Sequence, residues 1–313
     1  MSFARLFQLW DEFWFSDVSP KCLAVFRIMF GLLLLQFALF LLPDLFTWYG
    51  PKAIISANSI AEANPTVVLD LLNMAPQSDA WLCAIYALFI LASISLTLGF
   101  CSRLCCAICF VMLTSFYHHN PYLLNSGDSL MRLLAFWLIF SDSGAVWSVD
   151  DFLASKKPNY KPKEKISVWG VRCLQLQLCV VYYHAFVTKS PGWVWANGSA
   201  VYFASRLENL TRFPFPMDPN IEWISSVWTW GTLFIEFSLF TLIWVKEIRY
   251  YIMALGLCLH LCIDWTMNIP QFEWVMMATL IVFVYPEDLT KFLNWLKAKY
   301  SIAVKKNLST GSG

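Results

Sequence analysis

The feature that most restricts this chain is a succession of long apolar segments separated by short polar or basic connections. Eight such segments cover residues 24–42, 80–100, 104–117, 130–147, 168–187, 224–245, 250–265 and 272–285. In hydrocarbon every peptide N–H and C=O must find its partner inside the protein, so only helices and closed barrels cross a bilayer. A helix of about 20 residues spans its apolar core. The expected fold is therefore an all-α polytopic membrane protein, a single bundle of about eight transmembrane helices with additional interfacial helices. Only 14% of the residues are charged, against roughly 25% in soluble domains. The net charge of +1 lacks the basic footprint of a nucleic-acid binder.

Three regions follow. Residues 1–23, rich in Trp and acidic side chains, form an expected N-terminal interfacial segment. Residues 24–286 form the membrane domain. Residues 287–313 form a basic cytoplasmic tail, whose last five residues, 309–313, have the look of an added linker. Lysine and arginine accumulate on the cytoplasmic side of membrane proteins. With the N-terminus inside, fifteen of them fall on inner segments, whereas the outer loops hold four, Lys52, Lys189, Arg206 and Arg212. The expected location is the cell's inner (plasma) membrane, with both termini cytoplasmic. All ten cysteines lie within spans or on the inner side, so no outer disulfide is expected. Cys258 and Cys262 flank His260, but 100° per residue turns the imidazole away from both thiols, and no metal site is expected.

Polar residues inside such segments are costly, at least about 2.5–3.5 kcal/mol for a charge at mid-helix, and they collect in a pattern. Arg172, Gln175, Cys179, Tyr182 and Lys189 recur at steps of three, four, three and seven, forming one helical stripe. The stripe faces either a site or an interhelical hydrogen-bond seam. Lys189, at its outer end, is either a base, desolvated among aromatic walls and nearby cations such as Arg132, or a headgroup anchor. Asp128 and Arg132 are four residues apart and read either as an ion pair or as a holder for an anionic or polar headgroup. Asn125 before them reads as part of an N-cap-like turn. His260, Asp264 and Asn268 repeat at four-residue steps, as a proton relay would, or as a satisfied buried histidine would. Trp193 and Trp195 serve either a ligand box or an interfacial belt, and the following Val201, Phe203, Ala204 and Leu207 can lie over the site as a lid. Glu236, within the sixth segment, requires a partner or a proton.

Three stretches are collectively specific. LLAFWLIFSD followed by WSVDDF covers Leu133 to Phe152. VYYHAFVTKSPGWVWANGSAVYF contains Lys189. His260 is followed by Asn268 and Phe272. Together they resemble the HTTM family, whose best-known member is the membrane domain of the vitamin K-dependent gamma-carboxylase. The likeness covers roughly residues 20–290. The resemblance implies an outer-side site in which Lys189, aligned with the family's catalytic lysine, deprotonates a hydroquinone. Oxygen then converts the hydroquinone to an alkoxide able to take a proton from a substrate peptide. It also implies His260 as a second functional group, a membrane quinol as cofactor, and lipid, quinone and a secreted peptide as partners. Two departures stand out. Gly127 occupies the place of a carboxylase histidine, and the carboxylase's large lumenal domain is not expected.

Two functions compete. One is a membrane enzyme that uses a quinol to modify a secreted peptide or lipid, and loss of Lys189 would then abolish turnover while leaving the bundle folded. The other is a non-catalytic factor for maturation or export of a secreted peptide. A transporter is disfavoured, because no inverted repeat or paired broken helix is visible.

Overall fold

Each of the eight apolar segments contains a helix, though not every segment is helical to its end. The structure is a computed structural model that describes residues 3–63, 69–74, 78–123, 125–215, 217–269 and 271–310. Residues 311–313 of the linker-like end lie outside the described residues. The helices are α1 (Phe3–Phe15), α2 (Lys21–Leu41), α3 (Leu45–Tyr49), α4 (Ala57–Ala63), α5 (Asp79–Leu98), α6 (Ser102–His119), α7 (Ser126–Ile139) and α8 (Val149–Ser155). They continue as α9 (Trp169–Lys189), α10 (Trp193–Ala196), α11 (Ala200–Ala204), α12 (Glu222–Thr241), α13 (Arg249–Thr266), α14 (Phe272–Thr279) and α15 (Pro286–Thr310). Among the described residues the strands are β1 (Asp17–Val18) and β2 (Ile166–Ser167), paired antiparallel with Asp17 opposite Ser167.

Among the described residues three stretches are long and apolar enough to cross a membrane: Lys21–Tyr49, Asp79–Leu98 and Glu222–Trp244. The apolar Phe272–Phe283 is shorter, because α14 tightens into a 3-10 turn over Leu280–Phe283. The other expected spans form helices with more polar or shorter sequences. α9 carries Arg172, Gln175, Gln177, His184 and Lys189, and α7 has only 14 residues. The expected fourth segment, 130–147, thus ends as a helix at Ile139. Arg27 accounts for the early stop. Fully buried on α2, it donates to the carbonyls of Ser143 (2.8 Å), Val146 (3.4 Å) and Trp147 (2.6 Å), which a continued helix would use internally.

The pairs α2–α5, α6–α7 and α9–α12 make the most extensive helix contacts. Phe26, Phe30 and Leu34 of α2 meet Phe89 and Leu96 of α5 in one core with Phe116, Leu134, Leu174 and Tyr182. Gly31 permits the α2–α5 approach, since a Cβ there would stand 2.8 Å from the Thr97 backbone nitrogen. Gly99 ends α5 in the left-handed conformation (φ +74°), and a Cβ at this position would strike Ser148 and Arg27. α1 packs against α9, accepts Arg172 at the Phe13 carbonyl, and leaves Phe3, Phe7, Trp10 and Phe15 exposed.

Candidate functional site

Four helices bring ionisable groups together around the C-terminal part of the α9 stripe. Tyr182, on α9, is fully enclosed, and its hydroxyl lies 2.7 Å from His260 Nε2 on α13. The other ring nitrogen, Nδ1, is hydrogen-bonded to Glu273 on α14. Two turns beyond Tyr182, the Lys189 ammonium pairs with Glu236 on α12. His260 is within electrostatic reach of Glu236, and Tyr182 feels both carboxylates, so the two pairs form one neighbourhood. The second Glu236 oxygen, Oε2, is buried without a hydrogen-bond partner, which leaves an acceptor for a further donor.

This neighbourhood borders a cavity of about 520 Å³. Lys189 and Glu273 lie in its wall, and Phe213, Phe215, Trp228 and Phe272 supply aromatic surface. Lys189 Nζ also lies 5.3 Å from the centre of the Trp195 ring, within the range of a cation–π contact. The expected lid is divided: Val201 and Ala204 line the cavity, whereas Phe203 and Leu207 are exposed beyond the short helix α11.

The stripe itself splits. Its N-terminal members serve a seam: Arg172 donates to Gln175 (2.8 Å) and to the Phe13 carbonyl (3.1 Å), and Gln175 donates to the Val282 carbonyl (2.7 Å). Cys179 points its thiol at the Leu239 carbonyl, 3.9 Å away. Only Tyr182 and Lys189 of the five reach the cluster around His260 and Glu236. Asp128 and Arg132 do not pair with one another. Asp128 and Asn125 form a reciprocal capping box at the start of α7, and Arg132 lies 4.1 Å over the Tyr117 ring. The group that faces the Lys189 amine is thus a carboxylate, not the Arg132 cation. Trp193 is exposed and stands outside the cavity wall.

His260 has a different carboxylate from the one its helical repeat points to. Asp264 is turned outward to Arg212, 3.3 Å away, whose guanidinium also donates to the Asp264 carbonyl. The Asn268 N–H donates to the Leu210 carbonyl beside the Thr211–Met267 bridge. Asp264 and Asn268 therefore fasten the 207–212 loop over the cavity, and Glu273 supplies the carboxylate for the imidazole. Helical periodicity could not find Glu273, because the break between α13 and α14 intervenes. Among the described residues no group of three or more His, Cys, Asp or Glu side chains is placed to hold a metal ion.

A family model described as the HTTM domain matches residues 15–287. The chain belongs to the HTTM domain family. HTTM is a membrane domain related to the carboxylase, and its match takes in every helix from α2 to α14 and all the groups of the Lys189–His260 cluster. Among curated proteins, this HTTM chain is similar to the uncharacterized protein YitO of Bacillus subtilis (strain 168), 24% identical over 127 residues, 37% of this chain. The aligned part is 40% of that relative, so the match spans about two fifths of its length. No solved structure matches the chain.

Proposed function

We propose that this HTTM protein is an integral membrane enzyme that uses a quinol, with Lys189 as base, to modify a secreted peptide or lipid. In this reading eight helices, α2, α5, α6, α7, α9, α12, α13 and α14, cross the cell's inner membrane. Both termini are cytoplasmic and the Lys189 cavity faces the outer side. The observation that carries the reading is the amine of Lys189 in the wall of a largely apolar cavity with an aromatic side, and a buried carboxylate against that amine. The residues fit a quinol. Phe213, Phe215 and Trp228 offer flat apolar surface to a ring, and the Lys189 amine in the same wall, backed by Glu236, faces its hydroxyl. When bound, a quinol supplies a reductant whose reaction with oxygen yields a strong base.

The protein's part is proton handling and exclusion of water. Glu236 takes a proton from the Lys189 ammonium, which leaves a neutral amine and a neutral carboxyl. Nζ then accepts the proton of a hydroxyl placed against it and returns to the ammonium form. Glu273 fixes the orientation of His260, which in turn holds Tyr182 as a rigid wall beside this pair. Trp195 and the fastened 207–212 loop cover the amine, and a low dielectric strengthens each of these interactions.

A short-chain hydroquinone titrated into the purified protein in detergent is expected to quench tryptophan fluorescence saturably, since Trp195 and Trp228 line the cavity. Thr232→Trp fills the cavity and is expected to weaken that binding at least about tenfold, the equivalent of about 1.4 kcal/mol. Undiminished affinity in this variant would place the quinol elsewhere.

The orientation has its own test. Ser190→Cys, at the end of α9, is expected to react with an impermeant thiol reagent in intact cells, whereas Ser155→Cys, at the end of α8, is not. The reverse pattern would invert the topology and put the cavity on the cytoplasmic side.

A further inference from the structure

We propose that a second cavity, at the end of α9 opposite Lys189, binds a zwitterionic headgroup that carries a phosphate and a primary ammonium, as in an aminophospholipid. The cavity measures about 540 Å³ and lies between the start of α6, the turn after α7, and α8 with the strand-like segment that follows it. The ring of contacts places it at the α9 N-terminus: a Cβ on Gly170 would stand 2.8 Å from Ser141 Cβ, and Ser141 lines the cavity.

Its charges are sorted in a way that suits such a ligand. Arg103, Lys161 and Lys163 line one part. Asp142 meets Arg103 and, at 3.8 Å, Lys163, so one carboxylate serves two cations. Lys161 has no hydrogen bond or ion pair among the described residues. This side holds a cationic excess and matches the oxygens of a phosphodiester. Asp151 accepts the Tyr160 hydroxyl, but the half-buried Asp150 carboxylate has neither hydrogen bond nor ion pair among the described residues. The Arg27 guanidinium lies behind it within electrostatic reach, with both terminal nitrogens directed to main-chain carbonyls. Asp150 is therefore available to an ammonium from the cavity side.

A second, independent feature points to a ligand. Ser102 lines the cavity, is 95% buried, and its hydroxyl has no partner. An unsatisfied buried hydroxyl costs on the order of 1–3 kcal/mol, and a phosphate oxygen would satisfy it. Leu104, 61% exposed, lines the rim and offers apolar surface to an acyl chain. The same headgroup chemistry is found on a lipid and on free phosphoethanolamine, and Leu104 favours the lipid.

The test uses the full chain, purified in detergent and stripped of lipid, with binding read by native mass spectrometry and thermal shift. Phosphatidylethanolamine is expected to bind more tightly than phosphatidylglycerol. Asp150→Asn is expected to weaken phosphatidylethanolamine at least fivefold while leaving phosphatidylglycerol unchanged. Asp150→Glu keeps a carboxylate and is expected to retain the preference, which guards against a folding defect in the asparagine variant. Lys161→Ala with Lys163→Ala is expected to weaken both lipids. Free phosphoethanolamine is expected to bind weakly; binding as tight as the lipid's would support the headgroup site and reassign its source to a soluble molecule. Equal binding of the two lipids, or a preference unchanged by Asp150→Asn, would overturn the proposal.

Discussion

Lys189→Arg is expected to remove quinol-dependent turnover by about 100- to 10,000-fold, the contribution of a positioned general base, while the protein remains as stable as the wild type. A guanidinium keeps its proton under all ordinary conditions, yet it can still pair with Glu236. Lys189→Ala is expected to be equally inactive but less stable. It leaves a buried Glu236 without its cation, and breaking a buried pair from one side costs up to about 3–5 kcal/mol. The Lys189 side chain is 32% exposed, so water screens part of that loss and about 1–3 kcal/mol is expected. Adding Glu236→Gln to Lys189→Ala is expected to recover most of the stability and none of the turnover. Turnover assays alongside chemical unfolding in micelles check both halves. Full function in Lys189→Arg would make the lysine an anchor and favour the non-catalytic maturation factor.

Glu273→Ala is expected to produce the larger loss of stability, about 3 kcal/mol. Glu273 and His260 are 1% and 3% exposed, so bulk solvent does not readily replace the lost bond at Nδ1. The freed imidazole also loses the orientation that presents Nε2 to Tyr182. Glu273→Gln preserves an acceptor oxygen and is expected to cost about 1 kcal/mol. Thermal or denaturant unfolding reads both values, and a Glu273→Ala variant within about 0.5 kcal/mol of wild type would mean that this chain of side chains does not form.

The helical segments were legible because apolar runs in a bilayer-like composition leave few alternatives, and each expected segment contains a helix. The length of the fourth was not, because its end depends on Arg27, which is more than 100 residues away in sequence and captures the carbonyls of Ser143 and Trp147. Helical spacing placed Tyr182 and Lys189 on one face, and the structure has both in the cluster with Glu236 and His260. It also placed Arg172 and Gln175 there, and these join a seam at the N-terminal end of α9, since one stripe on a helix of 21 residues runs about 30 Å and passes more than one neighbour. Periodicity relates residues only within a helix. That is why Asp264 looked like the partner of His260, and why the actual partners Glu273 and Glu236, each on a different helix from the group it meets, had no signal beyond being carboxylates in apolar surroundings.

The central claim is that the Lys189 amine acts on a quinol hydroxyl in the cavity it borders. The most direct measurement is a density map of the protein in lipid nanodiscs saturated with a short-chain hydroquinone. The expected map shows a ring against the Phe215–Trp228 pair, with one hydroxyl about 3 Å from Lys189 Nζ. A cavity filled by an acyl chain, with the hydroquinone bound elsewhere and the Lys189–Glu236 pair closed, would contradict it.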